Sequence, residues 1–418
     1  MCRKESTMNK RVLNISLRGI TLASRFLFIF FLAKYLAPND LGLYGIFTAT
    51  VGYALYFVGL DFYVYTTREI IKSEKSQWGA FLKNQAFVSF LLYIVLFVLL
   101  IFTVAGGKIS LAQASWFILI LILEHVNQEI SRLLVAISKQ TTASFLLFVR
   151  QGLWAILIVI LMASKIIPAT LNAIFIFWSV SGLLSLILGV CSLKKAKMGG
   201  WKSEIDYSWI LKGIKVSGLF LIATLALRGL QTVDRYWMQY LNDLEVVGAY
   251  VLFIGMASTL MTFLDAGVFS FSYPALIKLK NDGDKIAFRK HLKKMSITTV
   301  AITIAFVVIS VLLMPFLLKW TEKPIFEKYL LVYYILLAAT AMNALGMIFH
   351  YALYAIGKDK AIIASHIISL LVFFVTVLML QNNHKITAVP AGITAAFTFI
   401  LIFKSVVFYY SKKEFKTS

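Results

Sequence analysis

The chain has 418 residues, 60% of them hydrophobic and 14% charged, with a mean hydropathy of +0.84. Apolar stretches of about 20 residues recur along its whole length, which excludes an ordinary soluble enzyme and marks an integral, polytopic membrane protein. The formal charge of +22 would suggest nucleic acid in a soluble protein. Here, however, most of the 41 Lys and Arg fall in alternate connections, so the excess reads as the positive-inside bias, with both termini cytoplasmic and no nucleic-acid partner.

Twelve spans are predicted, at 12–36, 42–66, 82–105, 111–137, 143–163, 169–193, 214–241, 247–273, 295–318, 328–356, 361–381 and 388–411. Pro38, Pro168 and Pro324 fall in connections and Pro274, Pro315 and Pro390 near span ends, as punctuation of helices would. The first span follows a basic N-terminus, as a signal peptide would, but it is too long, carries two arginines and lacks a small-residue cleavage site. It is expected to remain as a helix. Arg18 and Arg25 stand seven residues apart in "LRGITLASRF", which places both on one helical face about 10 Å apart along the axis.

In the second span Gly45, Gly52 and Gly59 form a stripe suited to close helix packing. Asp61 lies toward its inner end. The fourth span contains "EHVNQEISR", which puts His125 and Glu129 four residues apart, Glu124 beside them and Arg132 at the end. Three readings fit: a metal site with too few ligands, an ion- or proton-coupling site, and a polar face paired with arginines. Arg150 interrupts the fifth span, and Trp154 and Trp178 lie deep enough to pack or to stack on a sugar, whereas Trp78, Trp116, Trp237 and Trp320 sit near span ends as belt residues.

Between the sixth and seventh spans lies "KKAKMGGWKSEIDYSWILKGIK", a polar linker. Its part from Ile205 to Ile214 is expected to form an interfacial helix with Trp201, Trp209 and Ile210 in the headgroup zone. The seventh span then repeats the first: "LRGLQTVDRY" at 227–236 carries Arg228 and Arg235 in the positions of Arg18 and Arg25, with Asp234 between them. "GLY" at 42–44 is echoed by "GAY" at 248–250, and Leu60–Asp61 by Leu264–Asp265. The order of the matches implies a parallel repeat: a six-helix lobe at 1–193, a cytoplasmic linker at 194–213 and a second six-helix lobe at 214–418. Basic residues cluster again at Arg289, Lys290, Lys293 and Lys294, and Lys404 stands alone in the last span.

So many ionisable residues within spans cannot all face lipid, since each costs at least about 2.5–3.5 kcal/mol to insert. A polar interior follows. Guanidinium forks bind phosphate through paired hydrogen bonds, which makes Arg18, Arg25, Arg228 and Arg235 candidate ligands of a diphosphate, with Arg132 and Arg150 as further cations of the cavity. Asp61 and Asp265 fit two roles, a gate closed on arginines or a simple neutralisation of them. Cys2 and Cys191 supply no disulfide framework, and no phosphate-loop, H-E-x-x-H or G-x-S-x-G motif occurs.

The stretches "RGITLASRFLFIFFLAKYLAPNDLGLYGIF", "GLDFYVYTTREI" and "TVDRYWMQYLNDLEVVGAYVLF" resemble the polysaccharide transporter family, in particular Wzx-type O-antigen flippases of the multidrug/oligosaccharidyl-lipid/polysaccharide superfamily. The resemblance implies an all-α bundle of twelve transmembrane helices in two six-helix lobes around a central cavity, open to one side at a time. It implies a non-enzymatic flippase of the bacterial inner membrane, acting in O-antigen and lipopolysaccharide biosynthesis. Its cargo would be an undecaprenyl-diphosphate-linked oligosaccharide, and its partners membrane lipids, a polysaccharide polymerase and a chain-length regulator. No cofactor is implied beyond coupling to H+ or Na+ through Asp61, Glu124, His125, Glu129, Asp234 or Asp265. Two alternatives stand beside it. A multidrug or cation exporter of the same superfamily should have a cavity dominated by acids, and a membrane glycan polymerase or ligase should have larger outer loops than these.

Overall fold

Backbone donors and acceptors in hydrocarbon must be satisfied within the segment that carries them, and long runs of Leu, Ile, Phe, Val and Ala do so as helices. The computed structural model describes residues 2–414, with side chains from Leu13 to Ser411 other than Leu219, Phe220 and Ala223, and no strand occurs among them. In chain order the helices are α1 Cys2–Tyr35, α2 Pro38–Gly59, α3 Tyr63–Lys72, α4 Trp78–Ala105, α5 Leu111–Ala136, α6 Gln140–Leu147, α7 Trp154–Ala163, α8 Leu171–Lys194 and α9 Tyr207–Leu241. They continue with α10 Leu244–Ala257, α11 Thr259–Leu264, α12 Ser270–Asn281, α13 Lys285–Thr321, α14 Pro324–Lys328, α15 Leu330–Ala355, α16 Asp359–Leu380 and α17 Lys385–Glu414.

Among the described residues, ten helical runs are long and apolar enough to cross a membrane. α5, with Glu124, Glu129 and Arg132, and α9, with Arg228, Asp234 and Arg235, complete the twelve expected spans. The fold is therefore an all-α polytopic membrane architecture. α4 and α13 have the highest hydropathy and only 11% of their apolar windows buried, so they present their sides to lipid, whereas 67% of the window in Leu244–Asn281 is buried.

Several helices depart from the expected spans. The second span stops at Gly59, because Leu60 and Asp61 are both left-handed, at φ 48° and 50°, and the chain restarts as α3. Leu60 is neither Gly nor Asn, so the left-handed pair is strained there, although Gly59 and Asp61 on either side are turn formers. The fifth span carries a π-helical turn at Phe148–Leu153 between α6 and α7, and the eighth another at Asp265–Phe269 between α11 and α12. Pro274, Pro315 and Pro390 lie inside helices that continue past them, and Pro38 opens α2.

The chain divides into two compact units, one made of residues 1–28 and 47–225, the other of 29–46 and 226–418. In the first, α5 packs along α8, with Gly182 against Leu123 and Gly189 against Ile130. The expected interfacial helix is not separate: α9 runs unbroken from Tyr207, Ile210 is buried with Phe62, Tyr65 and Val88, and Trp209 stacks on Phe81 at 5.3 Å. An aromatic knot inside the unit takes these side chains because Gly213 brings α9 against Phe62 and Tyr65, where a Cβ would stand 2.4 Å from the Phe62 ring. Asp206 caps α9 by accepting from the Trp209 amide at 2.9 Å, which together with the Ser208 hydroxyl holds its carboxyl below the usual range. The preceding segment is fastened by its backbone: the Gly79 amide donates to Gly199 O at 2.7 Å and the Gly199 amide to Lys75 O at 2.9 Å.

The second unit is built on α15, α16 and α17, with α10 and α13 against α15. The start of α2 meets α10 at backbone distance. A Cβ on Gly248 would stand 2.1 Å from Pro38 O, one on Gly42 2.5 Å from Leu244 O, and one on Gly45 2.1 Å from Val251. Of the glycine stripe read in the sequence, Gly45 thus serves close packing while Gly52 has open space. Lys34 Nζ donates to Trp320 O at 2.6 Å and to Glu322 Oε1 at 2.7 Å, which keeps the exposed Glu322 carboxyl below its ordinary range.

A side chain at Gly248 has only backbone to displace. Gly248→Ala should therefore destabilise the protein by about 1–3 kcal/mol, while Gly52→Ala, which meets nothing and gains helix propensity, should be neutral or stabilising. Melting of the purified variants in detergent reads both, and equal melting temperatures would contradict the packing described.

Candidate functional site

Each unit holds charges that its helices have to neutralise or leave exposed. In the first, Arg18 Nε donates to Ser144 Oγ at 3.0 Å and Arg25 Nη1 to Gln151 Oε1 at 3.1 Å. The two arginines are seven residues apart on α1, and so are their partners on the fifth span, so one helical face reaches one neighbour in two rungs. Both arginines are exposed and both acceptors are neutral. Among the described residues no carboxylate pairs with either, so their charge is oriented but not cancelled.

Arg150 is different. It is buried, and its Nη1 lies 3.1 Å from Glu124 O and 3.4 Å from Glu124 Oε2, while Trp178 Nε1 donates to Glu124 Oε1 at 2.8 Å. The π-helical turn carries Arg150, and the widened backbone is closed by side chains of α8: Ser181 Oγ donates to Val149 O and Ser185 Oγ to Leu146 O. Trp154 stacks on Trp178 at 5.9 Å with the rings nearly parallel, so both belong to the packing around this ion pair. Arg150 Nε and Trp154 Nε1 are buried without a partner among the described residues.

Five residues further along α5, Glu129 pairs with Arg132 at 2.5 Å and accepts from Gln85 Nε2 at 2.6 Å. The Arg132 guanidinium lies 3.5 Å from the centre of the Tyr63 ring, at the start of α3. His125 is buried, its Nδ1 3.2 Å from Tyr93 OH and its Nε2 beside Gly59 with no hydrogen-bond partner among the described residues. Asp61, buried in its left-handed link, carries an electrostatic effect to Tyr63. Of the candidates in "EHVNQEISR", Glu124 and Glu129 are therefore engaged by arginines, and no group of three His, Cys, Asp or Glu suited to a metal occurs among the described residues.

In the second unit Asp234 is fully buried, accepts from Tyr250 OH at 2.6 Å and pairs with Arg235 at 3.1 Å. Arg235 also donates to Gln231 O. Arg228 is exposed and donates to Gln231 Oε1 at 3.1 Å. The sequence repeat of the two arginine pairs thus has unlike surroundings, neutral partners for Arg18 and Arg25 but a buried carboxylate for Arg235. Asp265 is exposed at the head of the second π-helical turn.

One cluster escaped the sequence reading. Lys404 Nζ on α17 lies 3.1 Å from His350 Nδ1 on α15 and 3.0 Å from His366 Nε2 on α16, and the two imidazoles stand parallel with centres 6.0 Å apart. Lys404 is 1% exposed. Each of the three helices contributes one basic nitrogen from an apolar run, so no spacing within the sequence connects them.

The fold is that of the MATE transporters of the MOP superfamily. An inward-facing multidrug resistance MATE family transporter aligns with a TM-score of 0.77 at 12% identity, over 97% of this chain and 99% of that one. An outward-facing MATE family transporter gives 0.60 at 13% identity, over 98% of this chain and 96% of that one, and a eukaryotic MATE transporter gives 0.62 at 12%, over 96% and 95%. No protein-family description matches the sequence, and no curated protein does.

Removing one partner of a buried ion pair strands the other, at about 3–5 kcal/mol. Arg150→Ala should accordingly lower the amount of folded protein in membranes sharply, and adding Glu124→Gln, which removes the stranded charge but keeps an acceptor for Trp178, should restore much of it. Abundance by size-exclusion chromatography in detergent checks this. If the double variant is no better than the single one, Glu124 is not the group that Arg150 neutralises.

Proposed function

We propose that this chain is an alternating-access transporter of the exporter type, which moves an organic amphiphile across the membrane. The observation that carries this reading is the MATE-type fold along nearly the full length of the chain, joined to ten helices apolar enough to span a bilayer. Of the acids within the spans, Glu124 and Glu129 are engaged by arginines and Asp234 by Arg235 and Tyr250, while Asp265 is exposed.

A second reading is favoured by Arg18 and Arg25. They keep two uncancelled positive charges on one exposed helix face, and charge of that sign selects an anionic amphiphile. A lipid carrying a diphosphate and an oligosaccharide, such as an undecaprenyl-diphosphate-linked sugar unit, is the cargo of this kind that most needs cations to bring its headgroup through hydrocarbon. On that reading the segments 194–215 and 275–294 are cytoplasmic and the protein flips its cargo outward.

Both readings are tested in proteoliposomes. The first expects accumulation of ethidium under an imposed ion gradient, unaffected by Arg25→Ala. The second expects farnesyl diphosphate to quench tryptophan fluorescence saturably, Arg25→Ala to weaken that binding about tenfold to hundredfold, corresponding to the loss of one charge-assisted contact of roughly 1.5–3 kcal/mol, and Arg25→Lys to recover part of it. Diphosphate binding unchanged in a normally folded Arg18→Ala, Arg25→Ala variant would end the second reading.

A further inference from the structure

We propose that Lys404, His350 and His366 form a proton-binding site that gains and loses a single proton as a unit and couples the second unit to a proton gradient. The coupling role rests on the transport reading above; the proton site itself does not. When Lys404 is an ammonium it has three hydrogens, two of which point to His350 Nδ1 and His366 Nε2. Both rings must then be neutral, with their own hydrogens on the opposite nitrogens. When Lys404 gives up its proton, the amine keeps two hydrogens for the same two acceptors, so the contacts survive and only the charge disappears. A second proton would place two like charges 3.0 Å apart inside the helix package, which limits the cluster to one.

What separates this cluster from a structural ion pair is the lack of an acid. Arg150 and Arg235 are each paired with a carboxylate, and a guanidinium, unlike an amine, does not release its proton. No carboxylate hydrogen-bonds Lys404 or either histidine among the described residues. From α16, residues 361–380 bring no ionisable side chain other than His366, and from α17, residues 386–408 bring only Lys404; the part of α13 from 295 to 318 brings none. On α15, Tyr351 meets the His350 ring edge-on at 5.3 Å. Tyr273 of α12 stacks on Tyr351 at 5.6 Å, and Asp265 of the π-helical turn acts on Tyr351 electrostatically. Asp265, Tyr351, His350 and Lys404 thus lead in order from an exposed acid to a buried amine. A lysine in that setting can be neutral or charged without breaking the packing, which a coupling site requires and a structural one does not.

The chain has five histidines, few enough to follow one by one by nuclear magnetic resonance of the full protein, labelled on histidine and held in lipid nanodiscs, between pH 4.5 and 9.5. The expected result is that the resonances of His350 and His366 shift together at a single midpoint, and that Lys404→Arg, whose guanidinium cannot release its proton, removes that joint transition. Independent midpoints for the two rings, or a joint transition that persists in Lys404→Arg, would overturn the site. Where Lys404→Arg does not fold, His366→Gln serves: it should move the remaining His350 midpoint by at least about tenfold in proton affinity, and an unmoved midpoint overturns the proposal. Coupling is read separately, as ethidium flux driven by a pH gradient in proteoliposomes. Loss of flux in Lys404→Arg supports the coupling role and unaltered flux removes it, while a joint transition in a wild-type protein that moves no solute leaves the proton site standing and removes the transport reading.

Discussion

Charge inside an apolar bundle must be cancelled, and the ion pair between Arg150 and Glu124 is where the first unit meets that requirement. Much of the surrounding structure follows from it. The π-helical turn carries the guanidinium to the carboxylate, Ser181 and Ser185 of α8 accept the cost of the widened backbone, and Trp178 spends its indole N–H on the second carboxylate oxygen. The arginines of α1 meet a serine and a glutamine instead, which orient them without neutralising them. The cancelled pair inside and the uncancelled pair outside are two sides of one arrangement.

The second unit solves the same problem differently. Asp234 is consumed by Tyr250 and Arg235, and Lys404 is left with imidazoles alone. A guanidinium keeps its charge at any physiological pH, whereas an amine flanked by imidazoles and no carboxylate can give up its proton and keep its contacts. Permanent and removable positive charge are thus segregated to different helices.

The helices, their number and the heptad spacing of Arg18 and Arg25 were legible because apolar periodicity and length are properties of contiguous sequence. Which acid meets which arginine was not, since Glu124 could serve any of several cations until α5 and the fifth span were placed side by side. The break at Leu60–Asp61 was hidden because Leu60, which adopts a left-handed conformation beside Asp61, has no turn preference of its own. Trp209 and Ile210 read as headgroup anchors because an aromatic residue at a helix start suits a membrane surface and an internal aromatic cluster equally well; Gly213, which lets α9 approach Phe62, decides between them. Lys404 was visible as a lone cation, but its two histidines lie on other helices.

The two π-helical turns have a bearing on how this chain can be compared with others. A single wide turn of this kind is equivalent to one residue inserted into an α-helix and absorbed without breaking it. Every side chain beyond Leu153 or Phe269 is therefore rotated by about 100° relative to a wheel continued from the residues before. At identities near 12%, an ungapped alignment through either turn would pair lipid-facing positions with buried ones for the rest of the helix. A one-residue gap at 148–153 and another at 265–269 restores the register, and a sequence that needs neither gap has kept both bulges.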